Sequence, residues 1–458
     1  MTKSENKAVI TTAKNTSQRE KERAYAIKQL GIKVVEIKDN DNFFENIIGN
    51  ERVKNFFSSL VDIFSNPDSY DISLINKKFL LIGETGVGKA LMTYAFANEL
   101  GIPIVCIDIE KLVNCPPNIA FTEISKVINE KAPCVVFFKE LDYLGVLEDE
   151  KALNYCSNII AICQKYEDCY FFTSTSAGLE IFQFFIEQGA FDTRVVFELP
   201  DPSERELLIQ KFIKKLNIKC DENLDFKKVA KDFFGLSAGD IENILKKSYI
   251  KSMIAKEETL TYRTINDTLY AESFGDKRHK MSEEELKMTA YHEAGHVIAG
   301  FYSDPNYKVS KVEIASRDES LGLTEQENDE EKRSYTKEDI CNVIISNFGG
   351  KVAEDVIFST TTSGVAQDLA TATQFANMYV KNFGMDENFG PVCLASGILE
   401  SAILDDEADK KIQELLKSLY KKCELIVTEH KSKLIELAEE LLVKETLYKE
   451  DVEKILNE

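Results

Sequence analysis

The alternation of apolar and polar positions divides the chain into parts with different periods. Asn50–Phe64 carries Val53, Phe56, Phe57, Leu60, Val61 and Phe64 at helical spacing. The runs Lys77–Gly83, Ile104–Ile107, Cys134–Phe138, Cys169–Thr173 and Arg194–Leu199 are short and apolar and read as buried strands. Strands alternating with helices predict a parallel α/β sheet. From Ser203 to Ser273 the spacing is helical throughout, a lid-sized appendage. Ser282 with Glu285 three residues later is a capping-box signature and starts another helix. Lys311–Ala315 is strand-like, Leu321–Thr324 follows, and beyond Ser334 the pattern is helical almost to the end. The last long helix gathers Ile412, Leu415, Leu416, Leu419, Cys423, Ile426 and Val427 on one face, continued by His430 in a structural role. Residues 1–40 read as a polar, partly disordered leader with a short helix around Glu20–Leu30, and folded structure is expected from about Phe43.

Composition narrows the class. A chain of 458 residues, 44% hydrophobic and 29% charged, is long enough for two or three globular domains. Its 78 acidic against 56 basic residues give a net charge of -22, which repels a phosphate backbone, so nucleic acid is not an expected partner. Apolar runs such as Phe79–Ile82 fall far short of the roughly 20 residues that span a bilayer, so no transmembrane segment is expected. Met1–Gln29 lacks the apolar core of a signal peptide, and none of the 10 Cys forms a C-x-x-C pair. A cytoplasmic protein with reduced thiols is the expectation.

Two stretches carry chemistry. Tyr291–Gly300 reads YHEAGHVIAG, with His292 and His296 four apart around Glu293. On a helix those two imidazoles share a face and can hold one Zn2+, with Glu293 beside them as general base of a metallopeptidase. Such a site takes three protein ligands and keeps a position for water, whose pKa falls to roughly 7. The chain has only 4 His, which makes this placement specific. The second stretch follows the strand KKFLLIG: Gly83, Glu84, Thr85, Gly86, Val87, Gly88 and Lys89, a glycine-rich turn whose N–H groups and lysine suit phosphate. It is followed by Ala90, where the motif requires a hydroxyl for Mg2+.

Taken together, the order of motifs resembles the FtsH family of AAA+ zinc proteases from about Phe43 to the C-terminus. The phosphate loop is followed by PCVVFFKELD, LSAGDI, YHEAGH, LGLT, FGGKVAED, TTSGVAQD and NFGMDENFGP. The resemblance implies an AAA+ α/β subdomain over residues 41–202, a helical lid over 203–278 and a mainly α-helical zinc metallopeptidase domain over 279–458. It also implies Asp368 as third zinc ligand, and Leu321, Gly322, Leu323 and Thr324 as an edge strand along which an extended protein or peptide substrate pairs. Zinc needs a third ligand, His279 and His430 are poorly placed, and the carboxylates of Glu354 and Asp355 stand as alternatives to Asp368.

The sequence departs from that family in its ATPase positions. The Mg2+-binding hydroxyl is replaced by Ala90, the metal-shell Asp by Lys139 beside a retained Glu140, and the sensor Asn by Ser176. The two arginine-finger positions hold Glu187 and Ala190, and the pore aromatic is missing from KLVNCPPN. The leading expectation is a zinc endopeptidase whose AAA+ module is kept as an oligomeric scaffold, binding ATP or ADP weakly and without a proper Mg2+ site. A hexameric homo-oligomeric ring is implied by the resemblance. The alternatives are an ATP-driven protease with a working motor, and a non-catalytic subunit of a mixed ring with an active AAA+ relative.

Overall fold

The computed structural model describes residues 29–36, 43–71, 75–147, 149–176, 185, 188–191, 193–274, 281–314, 322–326, 334–394 and 402–457. They form two compact units, Met1–Tyr262 and Arg263–Glu458.

The first unit is built on six strands, β1 (Ile32–Val35), β2 (Lys78–Ile82), β3 (Ile104–Asp108), β4 (Val135–Lys139), β5 (Tyr170–Thr175) and β6 (Thr193–Val196), in the order β1-β3-β4-β5-β2-β6. All pairs are parallel except β1–β3. This antiparallel edge corrects two expectations: the sheet is not wholly parallel, and structure begins before Phe43. A four-residue strand between polar flanks carries too little periodicity to be read from sequence. Residues 1–28 and 37–40 of the expected leader lie outside the described residues.

Helices α1 (Glu51–Ser65), α2 (Lys89–Leu100), α3 (Pro117–Lys131) and α4 (Asp149–Lys165) cover the sheet. Strand alternation sends Leu80, Val105, Ile107, Val136, Phe138 and Phe171 to one core. Phe79, Leu81, Ile104, Cys106, Val135, Phe137 and Phe172 face the other. Both faces are buried, which is why these strands read as continuous apolar runs. The helices α5 (Pro202–Lys215), α6 (Phe226–Asp232) and α7 (Ala238–Ala255) follow, with a parallel bridge between Cys220 and Leu260 interrupting the helical pattern.

In the second unit, α8 (Tyr262–Phe274) is followed by α9 (Glu283–Ser303), α10 (Lys337–Phe358), α11 (Ala366–Asn377), α12 (Ala402–Glu429), α13 (Lys431–Lys444) and α14 (Lys449–Asn457). All but the first residue of α8 falls in this unit, although the sequence reading placed that helix in the lid. Lys311 accounts for part of this: its Nζ lies 3.7 Å from the centroid of the Tyr270 ring and 3.5 Å from Asn266 Oδ1. A small antiparallel sheet has the order β8-β7-β9, from β7 (Val309–Glu313), β8 (Leu323–Gln326) and β9 (Thr446–Tyr448). The three-residue β9 lies in a region expected to be helical almost to its end. Among the described residues no helix is long and apolar enough to cross a membrane.

Candidate metal centre and phosphate-loop pocket

Helix α9 begins at the Ser282 cap, with both halves of the capping box formed with Glu285. Its central stretch is packed against α10 at a contact that needs glycine on both sides. A Cβ on Gly295 would lie 2.3 Å from the Gly349 carbonyl oxygen, and one on Gly349 would lie 2.4 Å from that of Gly295. A Cβ on Gly350 would meet His292 Nε2 at 2.4 Å, so that glycine makes room for the imidazole itself.

His292, His296 and Asp368 converge. The two Nε2 atoms are 3.0 Å apart, and Asp368 Oδ2 lies 3.1 Å from one and 3.3 Å from the other. The far side of each ring is already engaged. His296 Nδ1 donates to the Ser346 carbonyl at 2.8 Å, and His292 Nδ1 lies 2.7 Å from Glu354 Oε1. A carbonyl can only accept, so the His296 proton sits on Nδ1 and its Nε2 lone pair faces the centre. Lone pairs and a carboxylate oxygen brought this close repel one another unless a proton or a metal cation lies among them. Tetrahedral zinc with bonds of 2.0–2.1 Å sets its ligand atoms roughly 3.3 Å apart, so these residues fit the ion in both donor chemistry and spacing.

The field around the centre favours positive charge. Burial opposes a charge on His292, yet the carboxylates of Asp368 and Glu354 push its pKa up to about 10. Burial alone would raise the Asp368 carboxyl, but the two imidazoles beside it, His292 foremost, hold it well below the usual carboxylate range.

The other carboxylates are placed differently. Glu354, only 1% exposed, meets the back of the His292 ring and accepts from the Thr362 amide at 2.6 Å and the Thr362 hydroxyl at 3.1 Å. It therefore ties α10 to the turn that leads into Asp368. Asp355 is engaged elsewhere, with Lys351, Thr361 and Tyr420. Glu293 is buried, its Oε2 accepting from the Thr324 hydroxyl at 2.6 Å. Gly322, Leu323 and Thr324 lie at or in β8, which among the described residues is an edge strand paired with β7. Leu321 lies outside the described residues. His430 stacks on Tyr302, ring centroids 3.5 Å apart, and is not part of the cluster of His292, His296 and Asp368. The supporting roles of Ser346, Gly350 and Thr362 were not read from sequence; the paired glycines of FGGK were the available signal for a close helix contact.

In the first unit, Thr85, Gly86, Gly88, Lys89, Ala90, Lys139, Glu140 and Ser176 line one pocket at the C-terminal ends of β2, β4 and β5. This is where ligands lie in open parallel sheets. Gly86 and Gly88 have φ of 88° and 102°, the turn geometry that glycine permits. Lys89 Nζ is folded back onto the carbonyls of Gly83 and Glu84, and burial lowers its pKa against the pull of Asp142, Glu140 and Glu84. Gly83, Glu84 and Val87 complete the loop, with Val87 buried. Ala90 presents a methyl to this pocket, and Lys139 brings a lysine side chain to it from the end of β4. Asp142 accepts from the Ser176 amide at 2.9 Å. Ala190 is 1% exposed within the core, and Glu187 lies outside the described residues.

Comparison with known proteins agrees with this division. The family described as peptidase family M41 matches residues 279–455. The ATPase family associated with various cellular activities (AAA) matches residues 79–198. "ATP-dependent zinc metalloprotease FtsH 4" of Sphaerobacter thermophilus is 27% identical over 90% of this chain and 67% of its own length. "ATP-dependent zinc metalloprotease FtsH 1" of Methylacidiphilum infernorum is 29% identical over 90% of this chain and 69% of its own. "ATP-dependent zinc metalloprotease YME1L" of Drosophila melanogaster is 26% identical over 94% of this chain and 61% of its own. A solved structure titled "Structural Basis for Katanin Self-Assembly" overlaps 54% of this chain and 90% of that one with a TM-score of 0.47 at 18% identity. Carrying an AAA module followed by an M41 peptidase domain on one chain, and similar to FtsH proteins over nine-tenths of its length, the chain belongs to the FtsH family of AAA+ zinc metalloproteases, and it is a zinc metalloendopeptidase.

Proposed function

We propose that this chain cleaves protein or peptide substrates through zinc held by His292, His296 and Asp368, with Glu293 as general base, while its AAA module serves as an oligomeric scaffold with little or no ATP hydrolysis. The observation that carries the reading is the convergence of two Nε2 atoms and Asp368 Oδ2 within 3.0–3.3 Å, each imidazole oriented from behind. Zinc, when bound, supplies Lewis acidity toward the water and the peptide carbonyl. The chain's own residues do the rest. Glu354 and the Ser346 carbonyl fix the imidazole orientations. Glu293 takes a proton from the attacking water and returns it to the departing amine as the C–N bond breaks. The edge of β8 offers backbone groups to an extended substrate, as strand addition requires.

The scaffold role is supported by Ala90 and Lys139 together in the phosphate-loop pocket. Assembly into a hexameric ring belongs to the same reading, and light scattering at micromolar concentration tests it; a monomer would count against it. The relatives' names keep a second reading in view, an ATP-driven protease, favoured by the loop glycines and Glu140. Peptide cleavage with and without a zinc chelator, and with and without ATP, separates the two.

A further inference from the structure

Strand β8 meets the ligand helix at Glu293. Its partner β7 pairs Val312 with Thr324, and residues opposite one another in an antiparallel pair face the same side of the sheet. Val312 is fully buried in the domain core, so Thr324 also faces inward, and by the two-residue period so does Gly322. Both meet Glu293. The Thr324 hydroxyl donates to Oε2 at 2.6 Å, a length typical of a hydrogen bond to a charged carboxylate, and lies 3.3 Å from the Glu293 carbonyl oxygen. At Gly322 a Cβ would stand 2.5 Å from Oε1 and 2.8 Å from Thr289 Cγ2, so only glycine lets the strand lie this close.

We propose that Thr324 is a positioning residue for cleavage: its hydroxyl fixes the Glu293 carboxylate through Oε2, leaves Oε1 to receive the proton of the attacking water, and makes the strand that pairs with substrate also the strand that sets the base. The proposal rests on the reading of Glu293 as that base. Thr324 keeps its own proton throughout and takes no part in the transfer. A carboxylate held by one oxygen has lost most of its freedom about the terminal torsion, and that preorganisation is what a base beside a fixed water requires. The hydroxyl's effect falls on turnover, since substrate pairing along β8 uses main-chain groups that a side-chain change leaves in place.

The test compares zinc-loaded full-length wild type with Thr324→Val, Thr324→Ala, Thr324→Ser and Glu293→Gln on an unstructured fluorogenic peptide. Val keeps the branched shape without the hydroxyl, and the Ser–Ala pair isolates the hydroxyl at equal loss of the methyl. The expected result is a fall in kcat of about tenfold or more for Val and Ala, with KM within about twofold, zinc content unchanged, and Ser within about threefold of wild type. Wild-type kcat in Val, Ser no better than Ala, a loss confined to KM, or loss of zinc from Val would each overturn it. If Glu293→Gln cleaves as well as wild type, the base assignment fails and the proposal with it. If Glu293→Gln is inactive while Thr324→Val turns over normally, only the role of Thr324 fails.

Discussion

Glu354 Oε1 stands 2.7 Å from His292 Nδ1 while its other oxygen accepts the Thr362 amide at 2.6 Å, so one buried carboxylate holds both a metal-facing imidazole and the turn that delivers Asp368. A carboxylate behind a ligating imidazole fixes the ring and raises its basicity, and its removal ordinarily costs about 10–100-fold in metal affinity. Glu354→Gln is therefore expected to fold, to bind zinc in that weaker range, and to lose activity in step with occupancy. Asp368→Ala removes a ligand atom and is expected to lose zinc almost completely at the same free concentration. Competition against a chelator of known affinity measures both. If the Asp368 variant retains full zinc while the Glu354 variant has none, the third ligand is Glu354.

Glu293 separates binding from chemistry. Its carboxylate is buried beside the ligand helix and bonded to Thr324, not to either imidazole. Glu293→Gln keeps the shape and the ligands while removing the proton acceptor, so zinc content is expected to stay at wild type. Cleavage should fall by roughly 10²–10⁴, the contribution of a positioned general base. Metal analysis beside a peptidase assay on one preparation reads both; a variant that cleaves at wild-type rate would remove Glu293 from the mechanism.

Zinc uptake should release a proton. Asp368 and Glu354 push the pKa of His292 up to about 10 in the ion-free protein, so at pH 8 the ring carries a proton that the metal must displace. Below that pKa each unit of acidification should weaken apparent affinity by about tenfold through this group, and the dependence should flatten as pH rises through 10. Calorimetry of zinc binding at pH 8 in buffers of different ionisation enthalpy is expected to show close to one proton released. A value near zero would mean that His292 is neutral before the ion arrives.

Legibility in the sequence followed the length of the signal. The i and i+4 histidines, the Ser282 cap and the buried strands of the first unit were readable because several residues repeat one period, and their elements lie at or within a few residues of the expected places. Strands β1 and β9, of four and three residues, span at most two periods and were invisible. Their partners are distant in sequence: β1 pairs with β3, and β9 with β7. Gly350 and Ser346 were hidden for another reason. One acts by having no Cβ and the other through its carbonyl, so neither carries a side-chain signature of its function.

Nucleotide should bind to the first unit weakly, independently of Mg2+, and without turnover. The phosphate loop keeps its glycine geometry at Gly86 and Gly88, so its N–H groups can close on phosphate oxygens. Lys89 is bonded to the carbonyls of Gly83 and Glu84, and must leave them to reach a phosphate. Hydrolysis asks for a metal bridging the β and γ phosphates, and here Ala90 provides no hydroxyl while Lys139 faces the same pocket with a positive charge. A lysine there offsets phosphate charge in place of the cation and repels the cation itself. Free ATP or ADP is therefore expected to bind at least as well in EDTA as in millimolar Mg2+, and Lys139→Asp should reverse that preference. The arginine that stabilises the transferring group contributes about 10³–10⁵ in rate in related chemistry, and Ala190 is buried in the core where such a finger would have to emerge. Arg194 is exposed on β6 beside Arg52 and Glu198, lining a different pocket from that of the phosphate loop. The decisive measurement is steady-state phosphate release with Mg2+ and a folded protein substrate, against Glu140→Gln as control. Turnover that vanishes in the control, or casein cleavage that requires ATP, would restore the ATP-driven reading; release indistinguishable from the control, with peptide cleavage intact, is the outcome the pocket predicts.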